Sequence, residues 1–258
     1  MVRGLYTAYT GMRNEQNRMD IISNNLANVS TAGYKEENVA SQAFDKVFAL
    51  KIRDVSESFN DRRIGTMSLG VKVGEVYTDY RQGSVRETGN TYDLAIDGKG
   101  FFRMRVTNRA GEDSMKLTRD GNFKITRDGN IVDAYGNHLQ GEAGDLIVPT
   151  DAVEVRVYED GQVYADGEFV DTVLIVDYED YDYIEKFGDN MYQTVEGATE
   201  REDFSGRLLQ GYIEQSNVNS VSEMVELITV TRAYEAGQKI IQSTDDMLEL
   251  AANSVGKV

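Results

Sequence analysis

Apolar residues recur every seven positions near both ends of this 258-residue chain, the spacing of a helix that buries one face. In the amino-terminal stripe the spacing is kept by Leu5, Met12, Met19 and Leu26, with Ala8 and Ile22 at the intermediate position. In the carboxyl-terminal stripe it is kept by Leu227, Tyr234, Ile241, Leu248 and Val255, with Val230, Gly237, Thr244 and Ala251 between them. The two stripes predict a pair of long helices that pack together in the manner of a coiled coil.

The two predicted helices differ in regularity. Glu15 interrupts the amino-terminal stripe, and Gly11 lowers its helix propensity by about 1 kcal/mol relative to alanine. The carboxyl-terminal helix is predicted to span about 36 residues, or about 54 Å at the rise of an α-helix. The segment Ser220–Glu223 has the spacing of a capping box and predicts the start of this helix, and Gly256 predicts its end.

Between the two stripes the apolar pattern changes to a period of two, which is typical of β-strands. Asp-Gly pairs, which readily adopt the backbone geometry of tight hairpin turns, begin at residues 97, 120, 128, 160 and 166. The sequence TRDGNFKI at 118–125 is followed directly by TRDGNIVD at 126–133, which predicts two consecutive hairpin units. The middle of the chain is therefore predicted to be an antiparallel β domain.

Together these patterns predict an α+β protein in which a coiled-coil-like α domain accompanies a central antiparallel β domain. Its predicted parts are a helix with an Asn-rich loop at 1–35, an extended connector with β character at 36–90, the β domain at 91–210 and the long helix at 211–258. Within the connector, residues 43–50 suggest a short helix. The alternating acids and tyrosines at 177–190 leave open a solvated edge strand or a loop.

The formal charge of −17 is concentrated in the middle of the chain, which holds 36 of the 44 acidic side chains. Such a surface repels phosphate groups, so we expect neither nucleic acid nor anionic membrane as a partner. The longest wholly aliphatic run, at 173–176, is far shorter than the roughly 20 residues that span a bilayer. Polar residues interrupt the first segment before an apolar signal-peptide core forms, so we expect no cleaved signal peptide.

The sequence offers little that would support catalysis or cofactor binding. It contains no cysteine, which excludes disulfides, thiolate metal sites and thiol catalysis. No nucleophile elbow, phosphate-binding loop, zinc-protease motif or calcium-loop spacing occurs. His138 is the only histidine, and it lies in a predicted hairpin, where we expect a turn or surface role. We therefore predict a protein that is not an enzyme and binds neither a cofactor nor a metal.

Three separated blocks of sequence resemble the flagellar rod and hook protein family. The first matches the family pattern NNLAN-x-x-T-x-GYK with Asn24, Asn25, Leu26, Ala27, Asn28, Thr31, Gly33, Tyr34 and Lys35. The second, QGSVRETGNTYDLAIDGKGFF at 82–102, resembles the family's entry into its β domain. The third, at 210–248, resembles its carboxyl-terminal helix and includes SNVN at 216–219 and RAYE at 232–235. The size of the middle region and the RAYE segment favour the distal-rod branch of the family over its close rod paralogue or a hook-type protein.

The resemblance implies a structural subunit that is exported unfolded through the flagellar type III apparatus and then self-assembles. Its partners would be further copies of itself, other rod and hook proteins and the export apparatus, in the basal body outside the cytoplasmic membrane. The predicted assembly interface consists of Leu5, Met12, Met19, Ile22, Asn24, Asn25, Leu26, Ala27, Asn28, Gly33, Tyr34, Asn217, Val218, Asn219, Leu227, Val230, Tyr234, Ile241, Leu248 and Val255. An alternative from another class is a secreted β-rich binding module whose two helices pair within one chain as a stalk.

Overall fold

The structure of the protein is a computed structural model that describes residues 2–50, 63–108, 111–188, 190–201 and 206–255. A helix at each end and a strand-rich region between them make an α+β fold, as the sequence predicted. In chain order the elements are α1 (Val2–Ala27), β1 (Glu37–Ala43), β2 (Val47–Leu50), β3 (Arg63–Met67), β4 (Val71–Thr78), β5 (Val85–Glu87), β6 (Leu94–Asp97), β7 (Phe101–Thr107), β8 (Asp113–Thr118), β9 (Lys124–Ile125), β10 (Ile131–Val132), β11 (His138–Leu139), β12 (Val155–Val157), β13 (Gln162–Ala165), β14 (Glu168–Thr172), β15 (Ile175–Tyr178), β16 (Ile184–Phe187), β17 (Met191–Thr194), β18 (Glu200–Arg201), β19 (Arg207–Gln210), β20 (Tyr212–Glu214) and α2 (Ser220–Leu250). A π-helical turn, Ala251–Val255, follows α2.

The chain divides into two compact units, neither of which is contiguous in sequence. The terminal unit contains α1, the strands β1 to β4 and α2. The central unit contains residues 28–36 and 80–218. The Asn-rich loop that follows α1 therefore belongs to the central unit, although the helix before it and the strand after it do not.

In the terminal unit, α1 and α2 run antiparallel and α1 also packs against a two-stranded ribbon. The ribbon is formed by β1 and β4, which pair antiparallel from Glu37 opposite Thr78 to Ala43 opposite Val71. Strands β2 and β3 form a second antiparallel pair. Residues 43–50 thus lie largely in strands rather than in the suggested short helix, because pairing with β4 and β3 satisfies their backbone groups.

The central unit is built on an antiparallel sheet with the strand order β16-β17-β8-β7-β11-β10-β9, and β15 pairs with both β7 and β18. A three-stranded sheet, β12-β13-β14, and the pairs β6–β19 and β5–β20 complete it. Alternate residues of β7 point inward, so that Phe102 and Met104 are fully buried in the main apolar core. This arrangement agrees with the antiparallel β structure that the period-two pattern predicted.

The Asp-Gly pairs form hairpin turns at three of the five predicted places. Those beginning at 128, 160 and 166 connect strands that pair with each other. Those beginning at 97 and 120 connect strands that do not, so the prediction of two consecutive hairpins at 118–133 is wrong for the first unit. Gly121 serves instead as a close contact, because a β-carbon there would lie 1.6 Å from the backbone oxygen of Leu94.

The acidic and tyrosine-rich stretch is less solvated than its composition suggests. Asp177 and Tyr178 are buried at the end of β15, and a 3₁₀ turn follows at Tyr181–Tyr183. The ring of Tyr181 stacks on Tyr80, with 5.1 Å between ring centroids, and its hydroxyl donates to Asp177 at 2.6 Å. Burial, aided by that hydrogen bond, raises the pKa of Tyr181 above its ordinary value. The first half of the stretch is therefore partly core. The second half forms β16 at the edge of the sheet, with Glu185 and Phe187 exposed, as the edge-strand alternative predicted.

Candidate assembly surfaces

The carboxyl-terminal stripe faces α1 in the structure. Val230 and Thr244 are buried, and Leu227, Tyr234 and Ile241 are half-buried, in step with the seven-residue spacing. On α1 the facing residues are the half-buried Leu5, Met12, Met19 and Leu26 and the buried Ile22. Leu248 is 39% exposed, so the stripe opens toward the end of α2, and Val255 lies in the π-helical turn that follows.

A small residue lets the two helices approach at the middle of their contact. A β-carbon on Gly237 would lie 2.6 Å from Cγ of Met12, which is closer than real β-carbons come to other atoms. Polar groups fix the register at the other end, where Nη2 of Arg18 donates to Oε1 of Glu226 at 2.7 Å. These pairs show that rising residue numbers on α1 meet falling numbers on α2.

The start of α2 differs from the predicted capping box. The helix is capped by Asn219, whose Oδ1 accepts hydrogen bonds from the backbone N–H groups of Val221 at 3.1 Å and Ser222 at 3.3 Å. Ser220 is already inside the first turn. The carboxylate of Glu223 lies buried, and one of its oxygens is 3.5 Å from Nδ2 of Asn25.

Asn25 is a structural residue at the end of α1. Its Nδ2 donates to the backbone oxygen of Glu37 at 2.8 Å, and its Oδ1 accepts from the backbone N–H of the same residue at 3.1 Å. This pair of bonds ties the last turn of α1 to the first residue of β1. The neighbouring Asn24 and Ala27 are exposed.

The loop after α1 packs into the central unit. Asn28 closes it, since its backbone oxygen accepts from Thr31 N–H at 3.1 Å. Gly33 has φ +67° and lies so close to the backbone of Arg119 that a β-carbon would approach it to 2.3 Å. Tyr34 is 1% exposed, and Nζ of Lys186 lies 4.6 Å from the centre of its ring. The loop is therefore part of a core. Only glycine fits at position 33, and the large aromatic ring of Tyr34 fills buried space beside it.

Lys35 belongs to a buried ion cluster that sequence reasoning did not single out as a site. Its Nζ donates to Oε1 of Glu214 at 2.5 Å and to the backbone oxygen of Arg81 at 2.9 Å. Nη1 of Arg119 donates to the other oxygen of Glu214 at 3.1 Å. The side chains of Lys35, Glu214 and Arg119 are 1%, 1% and 4% exposed. The cluster therefore holds two cations on one anion away from water.

Residues 217 and 218 join the same region of the central unit. Oδ1 of Asn217 accepts from Glu36 N–H at 2.8 Å, and its Nδ2 donates to the backbone oxygen of Arg81 at 3.2 Å. Val218 is buried. Many members of the predicted interface thus have structural contacts within one chain, and whether they also contact a second copy stays a prediction.

The structure also reveals an apolar surface that the seven-residue pattern did not predict. Val221, Met224, Val225 and Ile228 lie on α2 and are 67%, 47%, 61% and 55% exposed. At 100° per residue, these positions lie on the side of the helix opposite Val230 and Thr244. A helical wheel drawn for the whole of α2 would have shown this second stripe, which we call the outer face of α2.

No cluster with metal-binding character occurs among the residues that the structure describes. His138 is half-buried in β11, and its Nδ1 lies 3.7 Å from a carboxylate oxygen of Asp145. Over the same residues, no helix combines the length and apolar character needed to cross a membrane. Gly256, the predicted end of the last helix, lies outside the described residues.

Comparison with known proteins identifies families that cover both ends and the middle of the chain. Residues 5–35 match the family described as "Flagella basal body rod protein". Residues 95–165 match "Flagellar hook protein FlgE/F/G D1 domain", and residues 209–254 match "Flagellar basal body rod FlgEFG protein C-terminal".

Curated relatives match over almost their whole length. The flagellar basal-body rod protein FlgG of Bacillus subtilis is 33% identical over 98% of this chain and 99% of its own. That of Caulobacter vibrioides is 34% identical over 96% and 97%. The rod protein FlgF of the same organism is 29% identical over the full length of both chains. This chain thus belongs to the FlgE/F/G family of flagellar axial proteins and is a structural protein of the basal-body rod.

Proposed function

We propose that this chain is a distal-rod subunit of the FlgG type, which polymerises through its paired terminal helices into a tubular shaft. Support for the distal rod comes from the FlgG relatives at 33% and 34% identity. The outer face of α2 carries the proposal of polymerisation. A helix that is apolar on two opposite sides is expected to be covered on both, and α1 covers only one.

The free energy available from covering this face is substantial. Complete burial of a large aliphatic side chain is worth about 1.5–3 kcal/mol. Val221, Met224, Val225 and Ile228 are each about half exposed, so each would contribute about 1 kcal/mol on association by that scale. In a polymer in which every copy buries this face against a neighbour, each subunit would gain the contributions of all four side chains.

In the proposed polymer α1 and α2 pack as a coiled coil and form the inner wall of the tube. The side chains between them give the helix pair its stiffness, and the outer face of α2 contacts neighbouring copies. The exposed Asn24 and Ala27, with the partly open end at Leu248, are the members of the predicted interface best placed to reach other subunits. We propose that the remaining members act indirectly, by holding the helices and the loop in the positions that form the surface.

The proposal includes delivery through the flagellar type III export apparatus, without a cleaved signal peptide, to a site outside the cytoplasmic membrane. A chain without cysteine forms no premature disulfides, and a single proline limits slow isomerisation during refolding. Both properties suit a protein that folds after export. Other rod and hook proteins would be its neighbours, its role would be structural rather than catalytic, and no cofactor is involved.

The direct test is assembly of the purified full-length chain, followed by sedimentation and electron microscopy. We expect tubular polymers above a critical concentration. Ile228→Asp should abolish them while the far-ultraviolet circular dichroism of the monomer stays unchanged, because Ile228 is 55% exposed on the side of α2 opposite Val230. Gln238→Asp, which places the same charge at another exposed position of α2, should polymerise like the unaltered chain. Normal polymers from Ile228→Asp would refute the role of this face.

The full-length match to FlgF makes the close rod paralogue the second candidate. Complementation separates the two, since a distal-rod subunit should restore motility to a bacterium that lacks FlgG and not to one that lacks FlgF. The secreted binding module would behave differently again. Its chain should remain monodisperse at high concentration, because its helices would be satisfied by each other alone.

A further inference from the structure

A groove in the terminal unit has the chemistry of a docking site for an acidic helix end. It lies between α1 and the β1–β4 ribbon and has a volume of about 270 Å³. Tyr9 and Arg13 line it on α1, and Phe44 and Lys72 line it on the opposite side. Close packing at one end fixes its shape, since a β-carbon on Gly70 would lie 2.3 Å from Oγ1 of Thr10. We call it the Arg13–Lys72 groove.

The groove combines open aromatic surface with uncompensated positive charge. Tyr9 and Phe44 are 51% and 37% exposed. Arg13 and Lys72 are both exposed, and neither forms an ion pair within the described part of the chain. None of the residues that line the groove is acidic. In a protein with a net charge of −17, such a site selects an anionic partner.

The end of α2 presents the complementary surface. Asp245, Asp246 and Glu249 are exposed there and form no ion pair with any residue that the structure describes. Met247 and Leu250, 49% and 64% exposed, lie among them. Carboxylates near the carboxyl end of a helix oppose the helix dipole, so a cation brought close to them is favoured. Both surfaces thus combine apolar and charged groups, and the charges are positive in the groove and negative at the end of α2.

The groove and the acidic end of one chain cannot meet each other. Met12 lies beside Gly237 in the antiparallel pair, which places Asp246 about 15 Å along the helix axis from Arg13 at 1.5 Å per residue. This separation is several times the length of an ion pair. A second copy that lies beside the first and is shifted along the axis by a similar distance would have its acidic end at the level of the groove.

We propose that the Arg13–Lys72 groove of one copy receives the acidic end of α2 of a second copy. The two surfaces differ, so the contact is heterologous and repeats from subunit to subunit instead of closing a two-fold dimer. It rests on the proposed polymerisation and assigns it one specific axial contact. The contact consists of Asp245, Asp246 and Glu249 against Arg13 and Lys72, with Met247 and Leu250 against the rings of Tyr9 and Phe44.

Charge reversal provides the test. The groove variant is Arg13→Glu with Lys72→Glu, and the end variant is Asp245→Lys with Asp246→Lys. Each variant alone sets like charges against each other in every contact, so its critical concentration should rise by about tenfold or more. An equimolar mixture should polymerise nearly as well as the unaltered chain, because both mixed contacts again join opposite charges.

A matched control carries the same change of charge elsewhere. Lys99→Glu with Arg127→Glu alters two exposed cations of the central unit, and its critical concentration should not change. If the groove and end variants each assemble like the unaltered chain, or if their mixture assembles no better than either alone, the contact is refuted while polymerisation stands. An unaltered chain that never polymerises refutes the proposed function and this contact together.

Crosslinking gives a readout that does not depend on polymer length. Because the natural sequence has no cysteine, Lys72→Cys and Asp246→Cys introduce one thiol into each of two chains. Oxidation of the mixture under polymerising conditions should give covalent dimers of one chain with the other, as the proposed contact requires. Lys99→Cys mixed with Asp246→Cys should give none. Equal yields from the two mixtures would contradict the proposed contact.

Discussion

Replacement of Glu214 by glutamine tests the energetics of the buried ion cluster. Its carboxylate accepts from Nζ of Lys35 at 2.5 Å, from the Gly83 N–H at 2.9 Å and from Arg119 at 3.1 Å, and it is 1% exposed. Glutamine keeps the shape and one acceptor oxygen but removes the negative charge that Lys35 and Arg119 both contact. Breaking a buried ion pair from one side costs about 3–5 kcal/mol. That is a large fraction of the roughly 5–15 kcal/mol by which a folded protein is stable.

The order of two variants tests the reasoning more sharply than one. Lys35→Met removes one of the two cations and leaves Glu214 paired with Arg119, so it should lower the free energy of unfolding less than Glu214→Gln. Urea unfolding followed by the fluorescence of the 15 tyrosines and by circular dichroism measures both. Glu154→Gln is the control, because Glu154 pairs with Arg156 in solvent and should lose less than about 1 kcal/mol. A smaller loss of unfolding free energy for Glu214→Gln than for Lys35→Met would refute the role of Glu214 as the anion that stabilises both cations.

Further predictions concern single positions. Burial, with the carboxylates of Asp133 and Asp93 nearby, raises the pKa of Asp120, so its ionised form opposes folding at neutral pH. Asp120→Asn should therefore raise the melting temperature at pH 7, and the gain should shrink as acid protonates Asp120 in the unaltered chain. Asn219→Ala should lower the stability of the terminal unit by about 1 kcal/mol through loss of the helix cap, measured by hydrogen exchange in the first turn of α2. Gly237→Val should force Met12 and the facing helix to shift and should raise the critical concentration for assembly, whereas Gly4→Val on α1, where nothing lies within 4 Å of the added β-carbon, should not.

The sequence could predict the two helices because the signal for them is local. Each turn of α2 repeats the same demand for an apolar residue, and the burial of Val230 and Thr244 follows that spacing. The choice of capping residue was less certain, since Asn219 and Ser220 are adjacent and both side chains cap helices well. The backbone conformation of the folded chain decides which of the two residues caps the helix, and the local sequence pattern does not reveal that conformation.

The buried cluster could not be predicted because its members meet only after the whole central unit has folded. Lys35 and Glu214 are 179 positions apart in sequence, and no local sequence pattern around either residue predicts that they form an ion pair. The same holds for the acidic tyrosine stretch, where alternating polarity suggested solvent. Tyr80, about 100 residues earlier in the chain, covers Tyr181 and turns part of the stretch into core.

The interleaving of the two units has a consequence for the order in which a chain that enters from its amino terminus can fold. The terminal unit needs both α1 and α2, so its helix pair cannot close until almost the last residue has arrived. The central unit needs only residues 28–36 and 80–218, and it can mature while the other end is still in transit. The helix pair is therefore the last part of such a chain to be completed. If the proposed polymer forms through these helices, the connectivity of the chain delays its growth until the central unit has folded.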